Sequence, residues 1–179
     1  MDNEQINQLI GVEEDYKAPD QLMKIIMDPQ RRENMFQEFL KIDDDLSQDH
    51  FRSYFQQQMA DRGRNKQDFT PNSLTKLTAL IVGNGMKTLD DCCGTGGLTI
   101  AKWWNDVQSG NYNSNFHYTM IEKTTAALPF LLFNMMIRNM NATVISGDVL
   151  TQKINHVYEI EASDQFSQMK KGAEQLSLV

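Results

Sequence analysis

Apolar residues in the first third of the chain recur at three- and four-residue spacings. "QLMKIIM" and "MFQEFLKI" both keep this rhythm, which predicts helices over 5–12 and 21–41. Pro19 and Asp20 supply a start signal for the second of these. A third helix is expected over 49–61, with Phe51, Tyr54, Phe55 and Met59 on one stripe that core packing would cover. "RGRNKQ" then reads as a polar loop. From Asp68 the pattern changes: short apolar runs alternate with amphipathic stretches. "TPNSLTKLTALIVG" is expected to be a helix opened by Thr70 and Pro71, and "KTLDDC" a short strand. "LTIAKWWNDVQSG" should be a helix closed by Gly110, "FHYTMIE" a strand, and "TTAALPFLLFNMMIRNM" a mostly apolar helix. "ATVIS" reads as a third strand and "HVYEIEAS" as a fourth.

Strands alternating with helices imply right-handed crossovers and an α/β fold, a parallel sheet with flanking helices. The boundaries suggest a helical segment over 1–67 followed by the α/β part over 68–179. Such sheets hold ligands beyond the carboxyl ends of their strands. There the sequence places the turn Cys93-Gly94-Thr95-Gly96-Gly97, directly after the first strand. Glycines permit positive φ and let the backbone approach a ligand closely. The turn lacks a following Gly-Lys-Ser/Thr, which argues against a nucleoside-triphosphate loop.

Charge and cysteine usage narrow the classes. The net charge is −7, and the first fifty residues are acid-rich. The compact basic islands are Arg62, Arg64 and Lys66, then Lys170 and Lys171. A protein that grips DNA unaided needs a broad basic face to neutralise phosphates. Contact with DNA is therefore expected to come largely through a partner chain. The start "MDNEQINQ" is unlike a secretory signal, and "AALPFLLFNMMI" is too short to span a bilayer. The adjacent Cys92 and Cys93 make neither an easy disulfide nor a zinc site, so a cytoplasmic protein with reduced thiols and no metal is expected.

Acids at the ends of three successive strands give the glycine turn a meaning. Glu122 can accept from both hydroxyls of a ribose, Asp148 from an exocyclic adenine amine, and Asp90 can face an ammonium group. Together they describe a site for an adenosine bearing an amino-acid tail.

"DDCCGTGG" resembles the D-P-A-C-G-T-G-G signature of adenine-N6 DNA methyltransferases, especially the modification subunits of type I restriction systems. "DFTP" resembles, with one residue fewer, the F-x-T-P or F-Y-T-P element upstream of it, and "MIEKTTAALPFLLFNMMIRNMNATVISGDVL" the stretch running from a strand-end Glu through a helical Asn to Gly-Asp. The resemblance covers roughly residues 50 to 150 and preserves motif order. It implies a Rossmann-like methyltransferase fold that binds S-adenosylmethionine. Carried over by position, it implies cofactor contacts from Phe69, Thr70, Pro71, Asp90, Cys92, Gly94, Thr95, Gly96, Glu122, Lys123, Asp148 and Val149. Thr70 and Pro71 would border the methionine end, Glu122 would take the ribose and Asp148 the adenine ring. Asn134 matches the family's helical Asn. Asp91 and Cys92 replace its Pro-Ala.

The family's catalytic element is (Asn/Asp/Ser)-Pro-Pro-aromatic, closing a fourth strand, with the target base flipped out of the duplex. The four prolines here are Pro19, Pro29, Pro71 and Pro129, so there is no Pro-Pro. The corresponding place reads Ser163-Asp164-Gln165-Phe166, where Ser163 and Phe166 fit the outer positions. It is either a decayed loop or an accidental Ser-x-x-Phe, and the resemblance implies a member truncated after the fourth strand. Two main readings stay open at this point, beside a weaker third, methylation of a small molecule or protein by a minimal fold. One is an adenine-N6 DNA methyltransferase completed by a partner, such as a restriction–modification subunit, or by self-association through an exposed sheet edge. The other is an inactive S-adenosylmethionine-binding module or a restriction-system or phage-type interaction protein.

Overall fold

The computed structural model describes residues 1–58, 69–83, 85–110 and 112–170. The N-terminal helices are α1 (Asn3–Ile10), α2 (Ala18–Met27), α3 (Pro29–Ile42) and α4 (Arg52–Gln58). The single helix expected over 21–41 is thus two. Asp28 takes an extended conformation and accepts from the Arg31 amide, capping α3, while Pro29 forces the break. Met59, the basic island around Arg62–Lys66, Asp68 and Lys171 lie outside the described residues.

The α/β part runs α5 (Asn72–Val82), β1 (Lys87–Asp90), α6 (Gly97–Gln108), β2 (His117–Glu122), α7 (Leu128–Ile137), β3 (Ala142–Asp148), β4 (Lys153–Glu161) and β5 (Gln168–Met169). The strands lie side by side in sequence order. β1, β2 and β3 pair in parallel through the helical crossovers, as expected. β4 differs. It follows β3 through a tight turn and returns antiparallel, with Lys153 opposite Asp148 and Ile160 opposite Ala142. β5 returns antiparallel to β4. The physical reason is connection length: a parallel neighbour needs a crossover of a dozen residues or more, and only the turn after Asp148 is available.

One face of the sheet is closed. Tyr118, Met120, Ala142 and Val144 are buried there, and the Tyr118 hydroxyl donates to Asp106 of α6. Every residue of α7 is buried, which explains why its pattern shows no polar face. Phe133 of α7 packs edge-on against Phe36 of α3 and Phe51. The N-terminal helices and the sheet therefore share one core that crosses the expected boundary at residue 67. The other face is only partly covered: Thr119, Ile121, Thr143 and Ile145 are half-buried, and Leu89 is 62% exposed.

Candidate functional site

The glycine turn leaves β1 and enters α6 with Gly94 and Gly96 both in the left-handed region, at φ 58° and 97°. A Cβ on Gly94 would stand 3.1 Å from the Phe69 ring, and one on Gly96 2.9 Å from Met135 of α7. The turn therefore presses on α7 at its base and offers bare backbone to Phe69 above it.

Two carboxylates fix this shape from different sides. Glu122, buried at the end of β2, accepts from the Gly94 amide at 2.8 Å through Oε2 and from the Thr124 amide at 2.7 Å through Oε1. Each oxygen keeps a lone pair for a further donor. The second carboxylate is Asp49, ahead of α4, a residue the sequence reading did not single out. It accepts from the Thr95 hydroxyl, from the Asn134 side chain at 2.9 Å and from the Phe51 amide at 3.0 Å. Asn134 also donates to the Thr95 carbonyl at 2.8 Å. Beside them the buried Arg138 guanidinium bonds the carbonyls of Leu46, Gln48 and Asn134. Burial raises the Asp49 carboxyl above its usual range, against the pull of Thr95, Asn134 and Arg138. Burial lowers Arg138 to about 10.

Above the carboxyl ends of β1, β2 and β3 opens a cavity of about 380 Å³. Among the expected residues, Phe69, Thr70, Cys92, Gly94, Glu122, Lys123, Asp148 and Val149 line it. Pro71, Asp90, Thr95 and Gly96 do not. Pro71 is the exposed N-cap residue of α5, whose carbonyl accepts from the Leu74 and Thr75 amides, so the helix starts one residue later than expected. Thr95 and Gly96 are buried under the turn. Asp90 turns toward α6 and accepts from the Thr99 hydroxyl at 2.9 Å. Burial raises its carboxyl, and neighbouring Asp91 and Glu122 add to that. Arg52, Thr75, Asp91, Leu98, Thr124 and Leu150 also line the cavity and were not foreseen.

Asp148 accepts from the Leu150 amide at 3.0 Å and pairs with Lys123 at 3.0 Å. The Lys123 bond holds its carboxyl below the usual value. Cys92 is an exposed free thiol at the rim, raised by partial burial and by Glu122 and the nearby aspartates. The buried Cys93 thiol donates to the Ile121 carbonyl.

Ser163 and Phe166 are not part of this site. Because β4 runs antiparallel, its end lies at the amino end of β3, roughly 20 Å from Asp148 at 3.3 Å per residue. Phe166 is 5% exposed and stacks edge-on against Phe36 at 5.1 Å, so its ring has no free face for a base. The expectation that these residues close a strand beside the cofactor is corrected on both counts.

The α/β fold, with a glycine turn, a strand-end Glu and a Gly-Asp hairpin around one cavity, is consistent with a methyltransferase. A family model described as N-6 DNA methylase matches residues 43–172, well over half of the chain, and the chain belongs to that family. The family comprises DNA adenine methyltransferases that use S-adenosylmethionine as methyl donor. No curated protein and no solved structure gives a significant match. The match begins at residue 43 and so takes in Asp49 and Arg52. No described helix is long and apolar enough to cross a membrane.

Proposed function

We propose that this chain binds S-adenosylmethionine in the cavity above β1, β2 and β3 and forms the cofactor-holding part of an adenine-N6 DNA methyltransferase. The observation that carries the reading is the Gly94–Glu122 hydrogen bond at the floor of a cavity also lined by Phe69, Thr70 and Asp148. The residues fit the group. Glu122 has one free lone pair on each oxygen for the two ribose hydroxyls. Asp148, held ionised by Lys123, would accept from the adenine amine. The bare backbone at Gly94, beneath Phe69, leaves a slot for the methionine half. The donor supplies the methyl group; what these residues do is hold and orient it.

The base-holding element would come to the free edge of β1, whose only strand neighbour among the described residues is β2. Leu89 of β1 is exposed, and α5 carries the exposed Leu74, Leu77 and Ile81, each at least half exposed. A restriction–modification subunit, or a second copy, adding a strand there would stand beside the cofactor. DNA contact would be shared with that partner. The second reading, a binding module without transferase activity, is favoured by the position of Phe166 and by the absence of Pro-Pro.

Calorimetric titration with S-adenosylmethionine tests the binding, and saturable binding that weakens at least tenfold in Glu122→Ala is expected. Absence of binding at millimolar ligand overturns it. Transfer of labelled methyl to DNA, with and without candidate partners, separates the two readings.

A further inference from the structure

We infer that Arg52 receives the carboxylate of the cofactor's amino-acid tail, and that this one guanidinium makes the site select a ligand with a carboxylate over the same ligand without it. The inference rests on the S-adenosylmethionine reading and adds a residue that its motifs do not contain.

Arg52 is the first residue of α4 and lines the cavity together with Phe69, Thr70 and Thr75. One terminal nitrogen donates to the Asn72 side chain at the start of α5, which fixes the plane of the guanidinium. Its Nε is buried and has no hydrogen-bond partner. A buried donor without a partner is costly, so a group that supplies an acceptor there recovers that cost on binding. No carboxylate pairs with Arg52 among the described residues.

The other charges around the cavity make the position selective. Asp91, Glu122 and Asp148 are acidic, and Lys123 is already engaged by Asp148 at 3.0 Å. Among the described lining residues, Arg52 is therefore the one cation not already paired with an acid, and it is the side-chain counter-charge a carboxylate entering the cavity meets. The fork of a guanidinium donates two parallel hydrogen bonds to a carboxylate, and Nε with the second terminal nitrogen is such a pair. The adenosine end is fixed near Glu122 and Asp148, so the tail points to the wall that carries Phe69, Thr70 and Arg52.

The test compares S-adenosylmethionine with its decarboxylated form, which keeps the adenosine, the sulfonium and the amine. Titrations use the full chain, as wild type, Arg52→Gln and Arg52→Lys. Wild type should prefer S-adenosylmethionine by about 10- to 100-fold, the range for charge-assisted hydrogen bonds. Arg52→Gln should lose that preference while binding the decarboxylated form within twofold of wild type. Arg52→Lys should fall between. Equal affinity of wild type for the two ligands overturns the inference without any variant, as does an equal loss of both ligands in Arg52→Gln. If wild type binds neither ligand, the cofactor reading itself fails. That outcome is distinct from loss of the preference alone, in which wild type still binds both.

Discussion

The two sides of this molecule are built to different standards. Where α2, α3, α4 and α7 meet the sheet, aromatic rings from α3, from α7 and from the residue before α4 interlock: Phe36, Phe39, Phe51, Phe130 and Phe133 are all at most 1% exposed. Around α5 and β1 the reverse holds. Leu80 and Ile81 are 67% and 77% exposed, Met86 52%, and β1 has a strand neighbour on one side only among the described residues. Scattered exposed apolar side chains are ordinary, but several on one helix, together with one on an edge strand, fit the interface proposed above. The comparison teaches that folding and completion of the site are separate matters here. The closed side contains enough core to fix the glycine turn, through Asp49 and Asn134, while the open side leaves apolar side chains of α5 and β1 exposed.

The contrast can be broken first at its strongest point. Phe133→Ala should cost about 3–5 kcal/mol in denaturant unfolding, because it removes a ring packed against Phe36, Phe39 and Phe51. Asp49→Ala should cost about 3 kcal/mol by leaving the buried Arg138 uncompensated. It should also speed amide hydrogen exchange at Gly94 to Gly97; unchanged exchange there would show that the N-terminal segment does not hold the turn. Asp90→Asn should raise Tm by about 1–3 °C at pH 7. The sign follows from the raised carboxyl. Such a group favours the folded state while protonated and loses that contribution as pH rises through its folded value. The advantage of the variant should therefore shrink as pH falls through the acid range, and a gap that widens would refute the assignment. Smallest of all, Ile81→Ser should change stability by less than about 0.5 kcal/mol while reducing self-association in light scattering. A loss comparable to that of Phe133→Ala would erase the distinction between the two sides.

Most of the α/β part was legible because its signals are local. Periodicity located α6, β2 and β3, and the glycine turn and the acids Glu122 and Asp148 follow from motif and position. Two features were not legible, for physical reasons. The direction of β4 depends on the turn after Asp148, and an alternating strand pattern is the same for either direction. Likewise, Asp49 and Arg52 act over 46 and 20 residues of separation on Thr95 and Asn72. Nothing in the spacing of an acid-rich stretch tells which carboxylate will be buried under a distant loop. The one available signal was Asn134, a lone amide in an apolar helix that needed partners, and Asp49 is one of them.

Gly147 has a consequence for how this protein can drift. It sits at the register shift between β3 and β4, where a Cβ would stand 2.7 Å from the Lys153 carbonyl. Any other residue there pushes the returning strand outward, and Asp148 is the next residue along. The reversal of the sheet and the placement of its third acid are thus tied to one glycine. A lineage that loosens the hairpin also moves the acid, so neither trait is free to be inherited without the other.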